Sequence, residues 1–136
     1  MLPLMLALSL GAPLDEKPKD DQKALQGAWV VVAAELDGKE FKEALKAVMT
    51  LKDDKLTVKL ANGQTTEGTF KFDASAKPKT IDLIPNDDKK PKALCIYQLD
   101  GDKLKLCMID KPGVDRPTEF KSGPNTYLLE FKREKP

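Results

Sequence analysis

The chain has 136 residues and sets 23 Lys and Arg against 22 Asp and Glu, for a net charge of +1. That length fits one domain with one core, and the charge balance argues against a protein that displaces counterions along a nucleic acid. Aromatic residues make up 6%, with no visible stacking platform for single strands, and histidine is absent, which excludes every histidine-based triad or metal site.

The first 22 residues, "MLPLMLALSLGAPLDEKPKDDQ", differ in character from the rest. The apolar run 2–10 is too short to cross a bilayer as a helix, and Ser9-Leu10-Gly11 has the small-x-small pattern that signal peptidases read. Residues 1–11 are therefore expected to be a secretory leader, although no Lys or Arg precedes the apolar run. The mature chain is then expected in the periplasm, the cell envelope or the medium, with no integral membrane span. Residues 12–21, rich in Pro and Lys, read as a flexible tether that cannot bury a core. The folded domain is expected over 22–136.

"LQGAWVVVAAELDGK" follows, with the single tryptophan, Trp29, at the head of an apolar run that stops at Asp37-Gly38. This run is apolar on both faces from Ala28 to Ala34, more than a strand with one wet face needs, which suggests a covering element or a partner. Beyond it, "KLTVKL" sets Leu56, Val58 and Leu60 against Lys55, Thr57 and Lys59. "GTFKFD" sets Phe70 and Phe72 against Thr69, Lys71 and Asp73. "TIDLI" offers Ile81 and Leu83, and "TYLLEFKR" offers Tyr127, Leu129 and Phe131. Turn signals separate these segments, among them Asp53-Asp54, Asn62-Gly63, "SAKPK" and "IPNDDKKPK". Eight strands are expected, at 28–36, 47–52, 55–61, 65–73, 79–84, 93–99, 103–109 and 126–133, with short helical pieces at 20–26 and 42–46. Eight sequential strands with tight turns predict an all-β, up-and-down antiparallel barrel, whose closure removes exposed edges.

Cys95 and Cys107 flank "YQLDGDKLKL". A two-residue loop at Asp100-Gly101 would pair Leu99 with Asp102 and Tyr97 with Leu104, turning Cys95 inward and Cys107 outward. A three-residue loop would set the cysteines opposite each other but split the apolar face. The apolar pattern prefers the first arrangement, with both thiols free.

The segments "LQGAWVVVAAELDGK", "EGTFKFD", "KPKTIDL", "IYQLDGDKLKLC" and "RPTEFKS", in this order over about 25–133, resemble a family of small exported, uncharacterised bacterial proteins with lipocalin-like (calycin-type) domains. Gly27-x-Trp29 is similar to the G-x-W element that opens the first lipocalin strand. The resemblance implies that Trp29 caps the closed end of the barrel, covered by a basic side chain from the far end of the chain; Arg133 matches that role, and a cation–π contact between the two is expected.

The resemblance also implies a small apolar ligand in the barrel, although an eight-stranded barrel can equally be filled by side chains. Phe70, Phe72, Tyr97, Leu106 and Tyr127 are the expected interior ligand contacts. Tyr127, Tyr97, Thr66 and Glu35 are the polar groups that could aim at a ligand. The alternative is a filled barrel that serves as an envelope protein–protein interaction module, with an outer apolar patch around Val30, Val32 and Ile96. Neither a cofactor nor a catalytic centre is expected: phosphate-loop and dinucleotide glycine motifs are missing, and the carboxylate pairs Asp53-Asp54 and Asp87-Asp88 sit in Lys-rich turns without the calcium-loop spacing. Arg116 and Glu119, in a long loop, are expected to make an intraloop ion pair or a strand-end contact.

Overall fold

The computed structural model describes residues 17–134, with the backbone alone for 17–20. The expected leader and the first part of the tether lie outside the described residues. No helix among the described residues is long and apolar enough to cross a membrane.

Eight antiparallel strands follow in chain order: β1 (Gly27–Leu36), β2 (Val48–Lys52), β3 (Lys55–Lys59), β4 (Thr65–Asp73), β5 (Lys79–Pro85), β6 (Ala93–Asp100), β7 (Lys103–Ile109) and β8 (Thr126–Arg133). Each pairs with its neighbour in sequence, and β8 returns to β1 with Arg133 opposite Trp29 and Tyr127 opposite Leu36. The result is a closed up-and-down barrel, as the strand pattern predicts, and it is consistent with a lipocalin-like fold. A two-residue extension, Lys39–Glu40, folds back on β1. The helical piece expected at 42–46 is a single 3-10 turn, Lys42–Ala44.

The odd-numbered side chains Trp29 and Val31 point inward, but so does Ala34. The register slips between Glu130 and Phe131, so that Ala33 and Val31 face consecutive residues and Val32 is left over. This β-bulge reverses the alternation. It explains why β1 is apolar on both faces: the strand changes its buried face halfway along, and Val32, at the slip, is 55% exposed.

Turn chemistry sets the hairpins. Leu36 pairs with Lys39 around Asp37-Gly38, both at positive φ (53° and 77°), as a type I′ turn requires. The β6–β7 hairpin differs from its expected register. Asp100 pairs with Lys103, Leu99 with Leu104 and Tyr97 with Leu106, so the loop is Gly101-Asp102 rather than Asp100-Gly101. Gly101 alone takes positive φ (59°), the type II′ pattern with glycine first. The two registers have the same parity, so Cys95 still faces the core and Cys107 faces out. Both thiols are free and buried.

One end of the barrel is plugged. Helix α1 (Lys17–Leu25) begins inside the stretch that composition assigns to the tether, and its contacts reach the β2–β3 turn at Asp53, Lys79 at the start of β5, Tyr97 on β6 and Arg133 at the end of β8. Leu25 is fully buried. Asp21, also buried, accepts hydrogen bonds from the Tyr97 hydroxyl at 2.6 Å and from Lys79 Nζ at 3.0 Å. Gln26 clips the helix end to the β2–β3 turn through the backbone N–H and C=O of Asp53.

Candidate functional site

The glycine of the G-x-W element, Gly27, has φ of 120°, and a side chain there would press on the Arg133 guanidinium. Two residues on, Trp29 is fully buried at the plugged end. Its Nε1–H donates to the Leu25 carbonyl at 2.9 Å. Arg133 lies over the ring, 4.2 Å from its centre, and donates to the carbonyls of Ala24 and Gln26, each at 2.7 Å. Its Nε reaches Asp102 at 3.1 Å. The carbonyls at the end of a helix have no partner within it; here Trp29 and Arg133 supply the donors. The guanidinium also sits where the helix dipole favours a cation.

The five expected ligand contacts separate into two groups. Phe70, Phe72 and Tyr97 belong to the plugged half. Tyr97 is buried with its hydroxyl on Asp21, and Phe72 meets it edge-on with ring centres 6.4 Å apart. Burial pushes the Tyr97 phenol well above its ordinary range, and the Asp21 carboxylate, which accepts a hydrogen bond from the phenol and would repel a phenolate, pushes the same way. Leu106 and Tyr127 face the other half.

That other half is hollow. A cavity of about 290 Å³ opens at the unplugged end, with walls of Val31, Met49, Val58, Leu106, Leu129 and Phe131. Leu60, Leu83 and Met108 complete its sides, and Phe41, Ala44 and Ala47 hang over it from the segment between β1 and β2. Phe41 packs edge-on against Tyr127 at 5.2 Å. The barrel is therefore packed with side chains at one end and hollow at the other, between the two alternatives that the sequence leaves open.

Sequence reasoning missed Phe41, Ala44 and Ala47. A signal was present, because the three apolar residues recur every third position in "EFKEALKA", a one-sided helical stripe. The ionisable groups lining the cavity are Glu43, Asp110 and Tyr127. Burial, and after it the nearby Asp110 charge, raise the Tyr127 phenol above its ordinary value. The other polar candidates turn elsewhere: Thr66 accepts from Lys90 Nζ at 3.3 Å, and Glu35 accepts from the Ser122 hydroxyl at 2.9 Å.

No family model matches the chain, and no curated protein does.

Outside the barrel, the β7–β8 loop lies over β5, β6 and β7. Arg116 pairs with Asp82 at 2.7 Å and donates to the Cys95 carbonyl at 2.9 Å, a strand contact rather than an intraloop pair with Glu119. The Cys107 thiol donates to the Lys121 carbonyl at 3.4 Å. Under this loop the outward-facing Ile96 and Cys107 are fully buried. Ile96 is thus no part of an exposed patch with Val30 and Val32; Val30 is half-buried and Val32 exposed.

Proposed function

We propose that this protein is a carrier or sensor of a small apolar molecule, held in the unplugged half of the barrel, and that it is not an enzyme. The cavity carries this reading. Its volume of about 290 Å³ lies at the lower end of small-molecule sites, and aliphatic and aromatic side chains form most of its walls. Of the five residues named from the sequence, Leu106 and Tyr127 are the proposed ligand contacts, joined by Phe41, Met49 and Val58. Phe70, Phe72 and Tyr97 are assigned to the packed half, and Trp29 with Arg133 to its closure. Membership of the exported lipocalin-like family belongs to the same proposal, resting on the five ordered segments; export rests on the apolar run 2–10. The alternative of an envelope interaction module has less support, because Val32 without Ile96 makes a small apolar surface.

Native mass spectrometry of the protein purified from its own source, with organic extraction of anything bound, tests the reading. A stoichiometric molecule that leaves on unfolding, and that an Ala47→Phe variant fails to retain while folding normally, is the expected result. A clean unliganded mass, with no uptake of a hydrophobic fluorescent probe by the wild type, overturns it.

A further inference from the structure

The charge at the cavity mouth narrows the ligand class. Glu43 stands in the 3-10 turn that overhangs the opening, and Asp110 directly follows the last residue of β7 at the same end. Among the described residues no Lys or Arg lines the cavity, and neither carboxylate forms an ion pair with a cation of the chain. Lys42, Lys46 and Lys111, the cations nearest in sequence, are exposed to solvent. The Phe41 and Tyr127 rings complete the rim, and aromatic faces attract cations. Burial and the Asp110 charge keep the Tyr127 hydroxyl protonated, so it adds a neutral hydrogen-bonding group and no opposing charge.

We propose that the cavity takes an amphiphilic organic cation, with an apolar chain or ring inside the barrel and an ammonium group at the mouth among Glu43, Asp110, Phe41 and Tyr127. The proposal rests on the apolar-ligand reading and deepens it. A fatty-acid carboxylate of the same size would meet two like charges and no cation among the described lining residues, and a neutral alcohol would leave the carboxylates unused. The apolar walls supply affinity that depends little on the head group, while the rim selects its sign.

Calorimetric titration of the full chain with octylammonium, octanol and octanoate, at low and at physiological salt, separates the two readings. The expected result is octylammonium binding at least about tenfold tighter than octanoate, a factor that exchanging repulsion for attraction at a partly solvated site readily supplies. Added salt should narrow the gap. The double variant Glu43→Gln/Asp110→Asn, with both positions at the rim and outside the packed core, should bind all three compounds within about threefold of one another, as expected once the charge selection is gone. Octanol or octanoate binding as tightly as octylammonium to the wild type overturns the cation assignment and leaves the apolar-ligand reading standing. Failure of all three to bind a chain whose Trp29 emission reports a native fold overturns both.

Discussion

The Arg133 guanidinium, at the end of β8, stacks on the Trp29 indole at the start of β1 while donating hydrogen bonds to the carbonyls of Ala24, in the last turn of α1, and of Gln26, just beyond it. One side chain thus closes the sheet, caps the helix and covers the tryptophan. The three contacts share one geometry, so they should be lost together.

Arg133→Ala should lower stability by about 2–4 kcal/mol, combining a partly buried cation–π contact with two charge-assisted hydrogen bonds. Arg133→Lys should recover less than half of this, since an ammonium cannot stack flat on the ring and reach both carbonyls. Urea unfolding followed by Trp29 emission measures both. Equal stability of the Lys variant and the wild type would show that charge alone, without the planar fork, holds the plug.

Gly68, on β4 between Leu56 and Pro85, is where the next strand passes closest. A Cβ there would overlap the Ile84 carbonyl and crowd the Pro85 backbone. Backbone cannot rotate out of the way as a side chain can, so Gly68→Ala should cost about 2 kcal/mol or more. The same change at Gly63, where a Cβ meets nothing within 4 Å but φ is 94°, should cost only the left-handed backbone penalty of about 1 kcal/mol. Chemical denaturation of the two variants side by side checks the order.

The barrel was legible in the sequence because period-2 alternation names the inward face of most strands after the first; on β6 and β7 it misses the outward Ile96 and Cys107, which the β7–β8 loop covers. It fails in β1, where Val30-Val31-Val32 offers no polar residue to mark the slip at Val32. Parity cannot separate the two β6–β7 registers either, since both place Tyr97, Leu99 and Leu104 on the inner face; the choice falls to Gly101, which takes positive φ at the first loop position. Above all, alternation gives face without depth. Phe72, Tyr97 and Tyr127 read alike, yet α1 plugs the end with the first two and leaves the third at the opening. The helical piece was legible at 20–26, but its role as a plug was not, because "KPKDDQKAL" is polar and its anchoring depends on Asp21 meeting Tyr97 and Lys79, partners far along the chain.

The Tyr97 phenol makes stability fall at alkaline pH. Its folded-state pKa lies above the ordinary 10.0, so the folded chain keeps a proton that the unfolded chain releases. The sign follows from linkage: stability is intact below about pH 10 and is lost as pH rises beyond it. Absorbance at the tyrosinate band should therefore rise for Tyr97 only together with unfolding, seen as a coincident change in Trp29 emission. Tyr97→Phe should be about 1–2 kcal/mol less stable at neutral pH, from the lost hydrogen bond to a buried carboxylate, while declining less steeply above pH 10. Tyr97 ionising before the emission changes would mean that the Asp21 contact is not maintained in solution.

The two thiols should be silent in the native protein. Cys95 is fully buried in the core and Cys107 lies under the β7–β8 loop with its S–H on the Lys121 carbonyl. Burial pushes both thiols above their ordinary value of 9.0, so little thiolate, the reactive form, is present at neutral pH. A disulfide-exchange reagent should titrate both cysteines in denaturant and neither on the timescale of seconds in buffer. The two should differ in slow exchange. Cys107 becomes accessible when a surface loop lifts, whereas Cys95 requires the barrel itself to open. Cys95→Ser should therefore leave a chain that labels faster than Cys107→Ser. Weakening the loop anchor with Arg116→Ala should accelerate Cys107 specifically, because Arg116 ties that loop to Asp82 and the Cys95 carbonyl. Equal acceleration of both thiols would indicate that the loop and the barrel open as one unit.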